Sequence, residues 1–108
     1  MNYVYEVSIA VKKEKWQEWR DWMIEVHIPD VMNTGVFLSC ELARITDPLQ
    51  EEVMQFRITY LASSPEAIAN YRSTLSPALQ VHHNELFGDY AKGSRRELFI
   101  EKVFQHTT

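Results

Sequence analysis

Alternation along the first eleven residues predicts the first β-strand of the chain. Apolar or aromatic side chains stand at every second position, and these are Tyr3, Tyr5, Val7, Ile9 and Val11. The positions between them carry Val4, Glu6, Ser8 and Ala10. Because side chains alternate between the two faces of a strand, this pattern predicts a half-buried strand over residues 2–11.

The spacing becomes helical over residues 14–27. One arc of such a helix carries Trp16, Trp19, Trp22, Met23 and Val26. Pro29 predicts the end of this helix, because the residue before a proline disfavours the α conformation. Pro29 then suits the first turn of a short second helix, which Asn33-Thr34-Gly35 is expected to end.

The second half of the chain repeats this layout. Residues 36–45 and 52–62 are predicted as strands, joined by a turn-rich connector.

Ser64 and Pro65 then predict the N-cap and first residue of a helix, and Ser76-Pro77 predicts a new cap and kink within it. The apolar stripe of this helix comprises Ile68, Tyr71, Leu75, Leu79, His82 and Leu86. Gly88 closes the helix, and residues 95–104 are predicted as the last strand, with Leu98, Ile100 and Phe104 alternating.

The predicted order β-α-β-β-α-β indicates one α+β domain over residues 1–108, of the ferredoxin-like class. Right-handed crossovers give a four-stranded antiparallel sheet with both helices on one face. The opposite face would carry Glu6, Ser8, Gln55, Arg57, Thr59, Glu97 and Glu101, with Val4, Phe99 and Val103 as its few apolar members. Two interpretations of this face stay open: it is solvated, or it pairs with a second copy of the chain.

Composition and charge narrow the class of protein. The 108 residues carry a formal net charge of −4, and the basic residues form no cluster longer than Lys12-Lys13 and Arg95-Arg96. We therefore expect no nucleic-acid binding. No stretch approaches the roughly 18 consecutive apolar residues of a membrane helix, and the N-terminus has no basic region typical of a signal peptide. The lone Cys40 suits a reducing compartment, so we expect a cytoplasmic protein.

His27 is the best candidate for acid–base chemistry. It follows the Trp-rich arc, where a partly apolar setting can tune an imidazole, and Asp30 could orient it from the next turn. The alternative is a histidine that satisfies a backbone carbonyl near Pro29. Arg57 is a candidate for binding an anionic group, with a structural ion pair as the alternative.

Tyr60 and Trp22 are candidates for lining a ligand pocket, although aromatic residues at helical spacing are more often core. The adjacent His82 and His83 point about 100° apart on a helix, which does not suit two ligands of one metal. Cys40 has no basic sequence neighbour to lower its pKa and is not expected to act as a nucleophile. No Gly-rich phosphate loop, Gly-x-Ser-x-Gly or Cys-x-x-Cys motif occurs, so we expect no metal or cofactor.

Three segments carry a resemblance to a known family: Trp19-Arg20-Asp21-Trp22-Met23, His27-Ile28-Pro29-Asp30-Val31-Met32 and Thr34-Gly35-Val36-Phe37. They resemble a family of small bacterial proteins described as a domain of unknown function, within the dimeric α/β barrels. The resemblance extends over nearly the whole chain. It implies a ferredoxin-like fold and a homodimer whose sheets pack together, and it implies no reaction.

Three functions are compared on this basis. The first is a binding or interaction module that holds a small ligand in the homodimer. The second is a cofactor-independent enzyme, monooxygenase-like or isomerase-like, that acts on a small, partly apolar molecule with His27 as acid/base. The third, an RNA-binding domain, would need exposed aromatic and basic residues on the central strands, and the pattern does not provide them.

Overall fold

The computed structural model describes residues 2–107, and within them four strands form one sheet that is covered on one face by two helical segments. The strands are β1 (Tyr3–Lys12), β2 (Phe37–Arg44), β3 (Val53–Ala62) and β4 (Ala91–Phe99). The first helical segment comprises α1 (Trp16–Trp22), a first π-helical turn (Met23–His27) and α2 (Ile28–Met32). The second comprises α3 (Pro65–Asn70), a second π-helical turn (Tyr71–Leu75) and α4 (Ser76–Phe87).

The sheet has the order β2-β3-β1-β4, and each neighbouring pair is antiparallel. In the centre, Tyr5 of β1 lies opposite Tyr60 of β3 and Glu97 of β4. β2 and β4 form the two edges. The predicted α+β, ferredoxin-like fold is therefore confirmed.

The core lies between the sheet and the helical segments. On β1 the alternating residues Tyr5, Val7, Ile9 and Val11 are buried, as the period of two predicts. Trp19 of α1 is fully buried, and its ring centroid lies 4.8 Å from that of Phe56 on β3. The Ser64 hydroxyl accepts the Ala67 N–H at 3.1 Å, which confirms the predicted N-cap.

The first helical segment does not end at Pro29, and that prediction is wrong. Ile28 keeps helical angles (φ −63°, ψ −43°), and its N–H donates to the carbonyl of Met23, five residues earlier. This wider π turn moves the preceding carbonyls away from the proline ring, which removes the clash that normally stops a helix. The segment ends after Met32, and Gly35 adopts φ 77°, as expected of a glycine at a helix end.

The second helical segment passes its proline in the same way. The Ser76 N–H donates to the carbonyl of Tyr71, and Ser76 is a buried helical residue, so the predicted new cap is wrong. The π turn contains one residue more than an α turn and shifts the buried stripe by one position. Its buried members are Ile68, Tyr71, Ser76, His83 and Phe87, whereas Leu75, His82 and Leu86 are exposed.

The predicted last strand is also corrected. β4 begins at Ala91 and ends at Phe99, and residues 100–107 have no regular secondary structure. Its faces are the reverse of the prediction: Glu97 lies opposite Tyr5 on the helix-covered face, and Leu98 lies opposite Val4 on the other. Pairing with β1 sets this register, and it outweighs the apolar pattern of the strand itself.

Candidate functional site

A small cavity lies between the sheet and the two π-helical turns. Its floor consists of Tyr5, Val7, Ile9, Ile58, Tyr60 and Arg95, and its roof of Met23, His27, Tyr71, Gln80 and His83. Both π turns contribute to the roof, since Met23 and His27 belong to the first and Tyr71 begins the second. The cavity volume is about 20 Å³, which is room for about one water-sized group.

His27 is one of the two buried histidines of this roof, with 6% of its surface exposed. Its Nδ1 atom is buried and has no hydrogen-bond partner among residues 2–107. A buried polar atom without a partner costs about 1–3 kcal/mol, which exceeds the net gain from an ordinary hydrogen bond. His27, which lines the cavity, therefore carries a nitrogen that destabilises the fold unless something else bonds to it.

Burial is the main cause that lowers the pKa of His27, to about 4. The positive charge that His83, His82 or Arg95 can carry nearby lowers it further. The imidazole is therefore neutral at pH 7. A neutral imidazole has one nitrogen that donates and one that accepts a hydrogen bond, so His27 can offer either to a ligand according to its tautomer.

His83 differs from His27 because both of its ring nitrogens are hydrogen-bonded. Trp19 Nε1 donates to His83 Nε2 at 3.0 Å, and His83 Nδ1 lies 3.1 Å from Asn84 Oδ1. Nε2 is the acceptor, so the proton lies on Nδ1 and the ring is neutral. Burial, the main cause, lowers the pKa of His83 in the same sense. This chain of bonds ties α1 to α4 and gives His83 a structural role.

Two tyrosines that line the cavity, Tyr60 and Tyr71, have a raised pKa. Burial raises the pKa of Tyr71 to about 12, and it raises the pKa of Tyr60 as well. The ring centroid of Tyr5 lies 6.0 Å from each of these two rings. The cavity thus has aromatic walls and phenol groups that stay protonated in neutral solution.

Arg95 forms the boundary between this cavity and a more open cleft. Its Nη2 donates to Gln80 Oε1 at 2.8 Å. Arg95, Gln80, His83 and Ile9 line both spaces. The cleft lies between α4 and the first half of β4 and has a volume of about 460 Å³, so it is far larger than the cavity behind it.

The structure brings together some of the predicted site residues and separates others. His27 and Tyr60 line the cavity, and Trp22 packs on His27 with ring centroids 5.4 Å apart, outside that lining. Asp30 is exposed on α2 and does not bond to His27 Nδ1. Arg57 is exposed, and its register opposite Ser8 places it on the sheet face away from the cavity.

Sequence reasoning missed Arg95, Gln80 and His83 as site residues, whereas the inward-facing Tyr71 was expected at a cavity edge and lines the cavity. Arg95 was assigned to the start of a strand, but it lies in the middle of β4, opposite Val7. His83 takes the inward place that the helical spacing gave to His82, because of the second π turn. The two-proline layout was the available signal, since a proline inside a continuous helical pattern can indicate a π turn.

The described part of the chain contains neither a candidate metal centre nor a membrane-spanning helix. No cluster of three or more His, Cys, Asp or Glu side chains within residues 2–107 is placed to hold a metal ion. Within the same residues, no helix is long and apolar enough to cross a membrane.

The comparison with known sequences gives a family without an assigned activity. A family model described as "Domain of unknown function (DUF4286)" matches residues 2–101. No functionally curated protein matches the sequence.

Solved structures share the fold at low sequence identity. A protein from Deinococcus radiodurans, named as a candidate antibiotic biosynthesis monooxygenase, has a TM-score of 0.69 at 8% identity, with 98% of this chain and 99% of that chain covered. A dimeric ferredoxin-like protein from an uncultured marine organism has a TM-score of 0.68 at 6% identity, over 96% and 99%. A cofactor-independent oxygenase from Streptomyces nogalater, solved as a point mutant, has a TM-score of 0.67 at 8% identity, over 98% and 100%. At these identities the likeness shows the fold alone.

Proposed function

The chain belongs to the DUF4286 family of domains of unknown function, and on that premise we propose that it is a homodimeric protein that binds a small, partly apolar molecule between its sheet and helices. The observation that carries this proposal is a buried cavity lined by His27, a residue whose Nδ1 has no hydrogen-bond partner among residues 2–107. A ligand group that bonds to this nitrogen offsets its desolvation cost only in the bound state, which favours binding.

The size of the two spaces defines how a ligand would be held. The inner cavity takes about one water-sized group, and the cleft of about 460 Å³ is large enough for the body of a small molecule. Because Gln80 and Arg95 line both spaces, a ligand in the cleft can extend one polar group past them towards His27. The neutral phenol groups of Tyr60 and Tyr71 offer further hydrogen bonds there.

The homodimer is proposed from the uncovered face of the sheet. Val4 lies opposite Leu61 and Leu98, so three apolar side chains form a strip across β3, β1 and β4. Beside it, the hydroxyl of Thr59 is buried without a hydrogen-bond partner in the described chain. Leu61 and Leu98 are only half-buried in the single chain, and their apolar surface is better covered by a second copy than by water. The structural neighbour described as dimeric supports this arrangement.

The state of the one cysteine supports a location in the cytoplasm, which we include in the proposal. Cys40 is a half-buried free thiol. Burial, the main cause, raises its pKa to about 11, so the thiol stays protonated and unreactive. Free thiols of this kind persist in reducing compartments.

Native mass spectrometry of gently purified protein tests the proposed function. We expect a dimer that carries additional mass, and we expect that mass to be lost on denaturation. His27→Leu should keep the dimer and lose the additional mass, because leucine fills the same space without a hydrogen-bonding nitrogen. His82→Leu is the matched control, since His82 is exposed. A bare wild-type dimer, or a ligand unaffected by His27→Leu, would count against the proposal.

A second candidate is a cofactor-independent enzyme with His27 as acid/base. The unpartnered Nδ1 and the likeness in fold to a cofactor-independent oxygenase favour it. A pKa of about 4 makes His27 a weak base, so proton transfer would need a bound ligand that stabilises the imidazolium. Binding requires no such step, and it is therefore the preferred function.

Incubating the recovered ligand with the protein in air and under nitrogen separates the two candidates. The enzyme predicts a change in ligand mass that requires both the protein and His27, and an oxygenase also requires air. The binding protein predicts an unchanged ligand under all conditions.

A further inference from the structure

Arg95 has an unusual electrostatic environment for a half-buried cation. The ion pairs of residues 2–107 are Lys15–Glu18, Arg20–Asp21, Arg72–Glu97 and Arg96–Glu6, and none of them includes Arg95. Its observed side-chain partner is the neutral amide of Gln80. Its strand neighbours Arg96 and Glu97 both form ion pairs, whereas the Arg95 guanidinium at the cavity does not.

The surroundings of Arg95 contain little negative charge. The side chains that line the inner cavity include no aspartate or glutamate. The cleft in front of it is lined by one acidic residue, Asp89, and by one basic residue besides Arg95, Lys92. In a chain with a net charge of −4, this site is locally positive, and partly buried walls strengthen its attraction for an anion.

The shape of the site favours a planar anionic group. Arginine donates two parallel N–H bonds to a carboxylate, and Arg95 stands where the cleft meets the inner cavity. One carboxylate oxygen is about the size of the water-sized cavity that His27 lines. If the Gln80 amide moves aside, the N–H group of Arg95 that now donates to Gln80 can donate to the carboxylate instead.

We infer that this site recognises a small organic carboxylate, with Arg95 binding the charge, Gln80 as the displaced partner and His27 bonded to one carboxylate oxygen. This inference rests on the proposed function and names the chemical class of its ligand. The body of the carboxylate lies in the cleft between α4 and β4. Gly93 keeps that cleft open, because it lines the cleft and lies on the helix-covered face of β4, opposite Ile9.

Matched pairs of acids and amides test the inference by titration calorimetry. The probes are benzoate, 4-hydroxybenzoate and hexanoate, each compared with its own amide. We expect at least one acid to bind about tenfold or more tightly than its amide, as a charge-assisted pair of hydrogen bonds implies. Arg95→Gln should remove this preference, and the control Arg57→Gln should keep it, because Arg57 is exposed on the opposite face of the sheet.

Gly93→Val provides a second variant that leaves Arg95 in place. A Cβ at Gly93 would meet Ser8 O at 3.4 Å and Ile9 Cγ1 at 3.6 Å, which are ordinary contacts, so the variant is expected to fold. Its side chain narrows the cleft, and we expect it to weaken binding of the acid. Equal binding of acid and amide by the wild type would overturn the inference and leave the proposed function intact. No binding of any probe would overturn both.

Discussion

Two buried histidines lie with their ring centroids 5.8 Å apart and have opposite hydrogen-bonding states. His83 bonds through both nitrogens, to Trp19 and Asn84, and so holds two helices together. His27 leaves Nδ1 without a partner at the cavity. The two histidines therefore have different roles. His83, with both ring nitrogens hydrogen-bonded, is structural, and His27, with Nδ1 unbonded, is the candidate binding residue.

The lowered pKa of His27 predicts a specific loss of stability in acid. The unfolded chain binds a proton near the ordinary pKa of 6.5, and the folded chain does so only near pH 4. Stability should therefore fall as pH decreases from 6.5 towards 4, by roughly 3 kcal/mol from this residue, since one pKa unit is about 1.4 kcal/mol. Urea denaturation at pH 7 and about pH 4.5 measures this difference.

Two substitutions isolate the contribution of His27 from that of the carboxylates. His27→Gln should reduce the difference in stability between the two pH values, because glutamine does not titrate. His82→Gln should leave that difference close to that of the wild type. An equal pH dependence in wild type and His27→Gln would show that this histidine is not the group that titrates.

At the scale of single residues, the sequence allowed His27 and Tyr60 to be predicted as members of the site. Asp30 and Arg57 were reasonable by residue type and lie elsewhere, because side-chain chemistry does not reveal which face of a sheet or helix a residue occupies. Arg95 could not be recognised, since its place depends on the register between β4 and β1. Its neighbours Lys92, Gly93 and Ser94 are typical of a turn, and pairing alone makes them a strand.

At the scale of elements, the two π-helical turns shape both the helices and the cavity. Each ends two residues before a proline, and each contributes roof residues to the cavity. The extra residue in the second turn explains why the predicted stripe fails beyond Tyr71. Alternation along β1 and β3 was sufficient to predict those strands, whereas a local insertion in a helix leaves no change in composition by which to detect it.

A single-residue deletion in the second π turn is expected to be tolerated when its proline is also removed. Without Ser73, the buried positions return to ordinary α-helical spacing, so His83 and Phe87 keep facing the core. Pro77→Ala removes the ring that would clash with an α turn, a cost of about 3 kcal/mol. We expect the double variant to unfold cooperatively, within about 2 kcal/mol of the wild type in urea.

Deletion of Val81 in the same Pro77→Ala background is the matched control. Val81 is exposed on α4, as Ser73 is on the turn, but its deletion rotates His83 and Phe87 by about 100° out of the core. This control should lose cooperative unfolding. If the two deletions were equally damaging, the π turn would not be the simple insertion inferred from the buried stripe.

At the scale of the whole molecule, one sheet face is covered by helices and the other carries a mixed polar and apolar surface. Glu6 is buried on this open face, where Arg96 Nε donates to its Oε1 at 2.6 Å. The apolar strip of Val4, Leu61 and Leu98 lies next to that ion pair. This combination is typical of a surface that packs against another protein, with polar groups already paired at its edge.

Substitution of Leu61 tests the proposed homodimer. Leu61→Arg should raise the dimer dissociation constant by at least about tenfold, because an arginine in an apolar interface loses hydration without gaining a partner. Light scattering after size-exclusion chromatography measures the effect. Val81→Arg, on the exposed side of α4, is the control and should leave the dimer unchanged. A monomeric wild type, or an unaffected Leu61→Arg dimer, would contradict this assembly.

The position of β4 at an edge of the sheet has a consequence for how a ligand could reach the cavity. Within the described sheet, the backbone of β4 pairs with β1 alone, whereas β1 and β3 each pair with a strand on both sides. Transient fraying of this outermost strand would widen the cleft and leave the ladder of β2, β3 and β1 intact. In that case a ligand would enter at the edge of the sheet without breaking the hydrogen bonds between the other three strands.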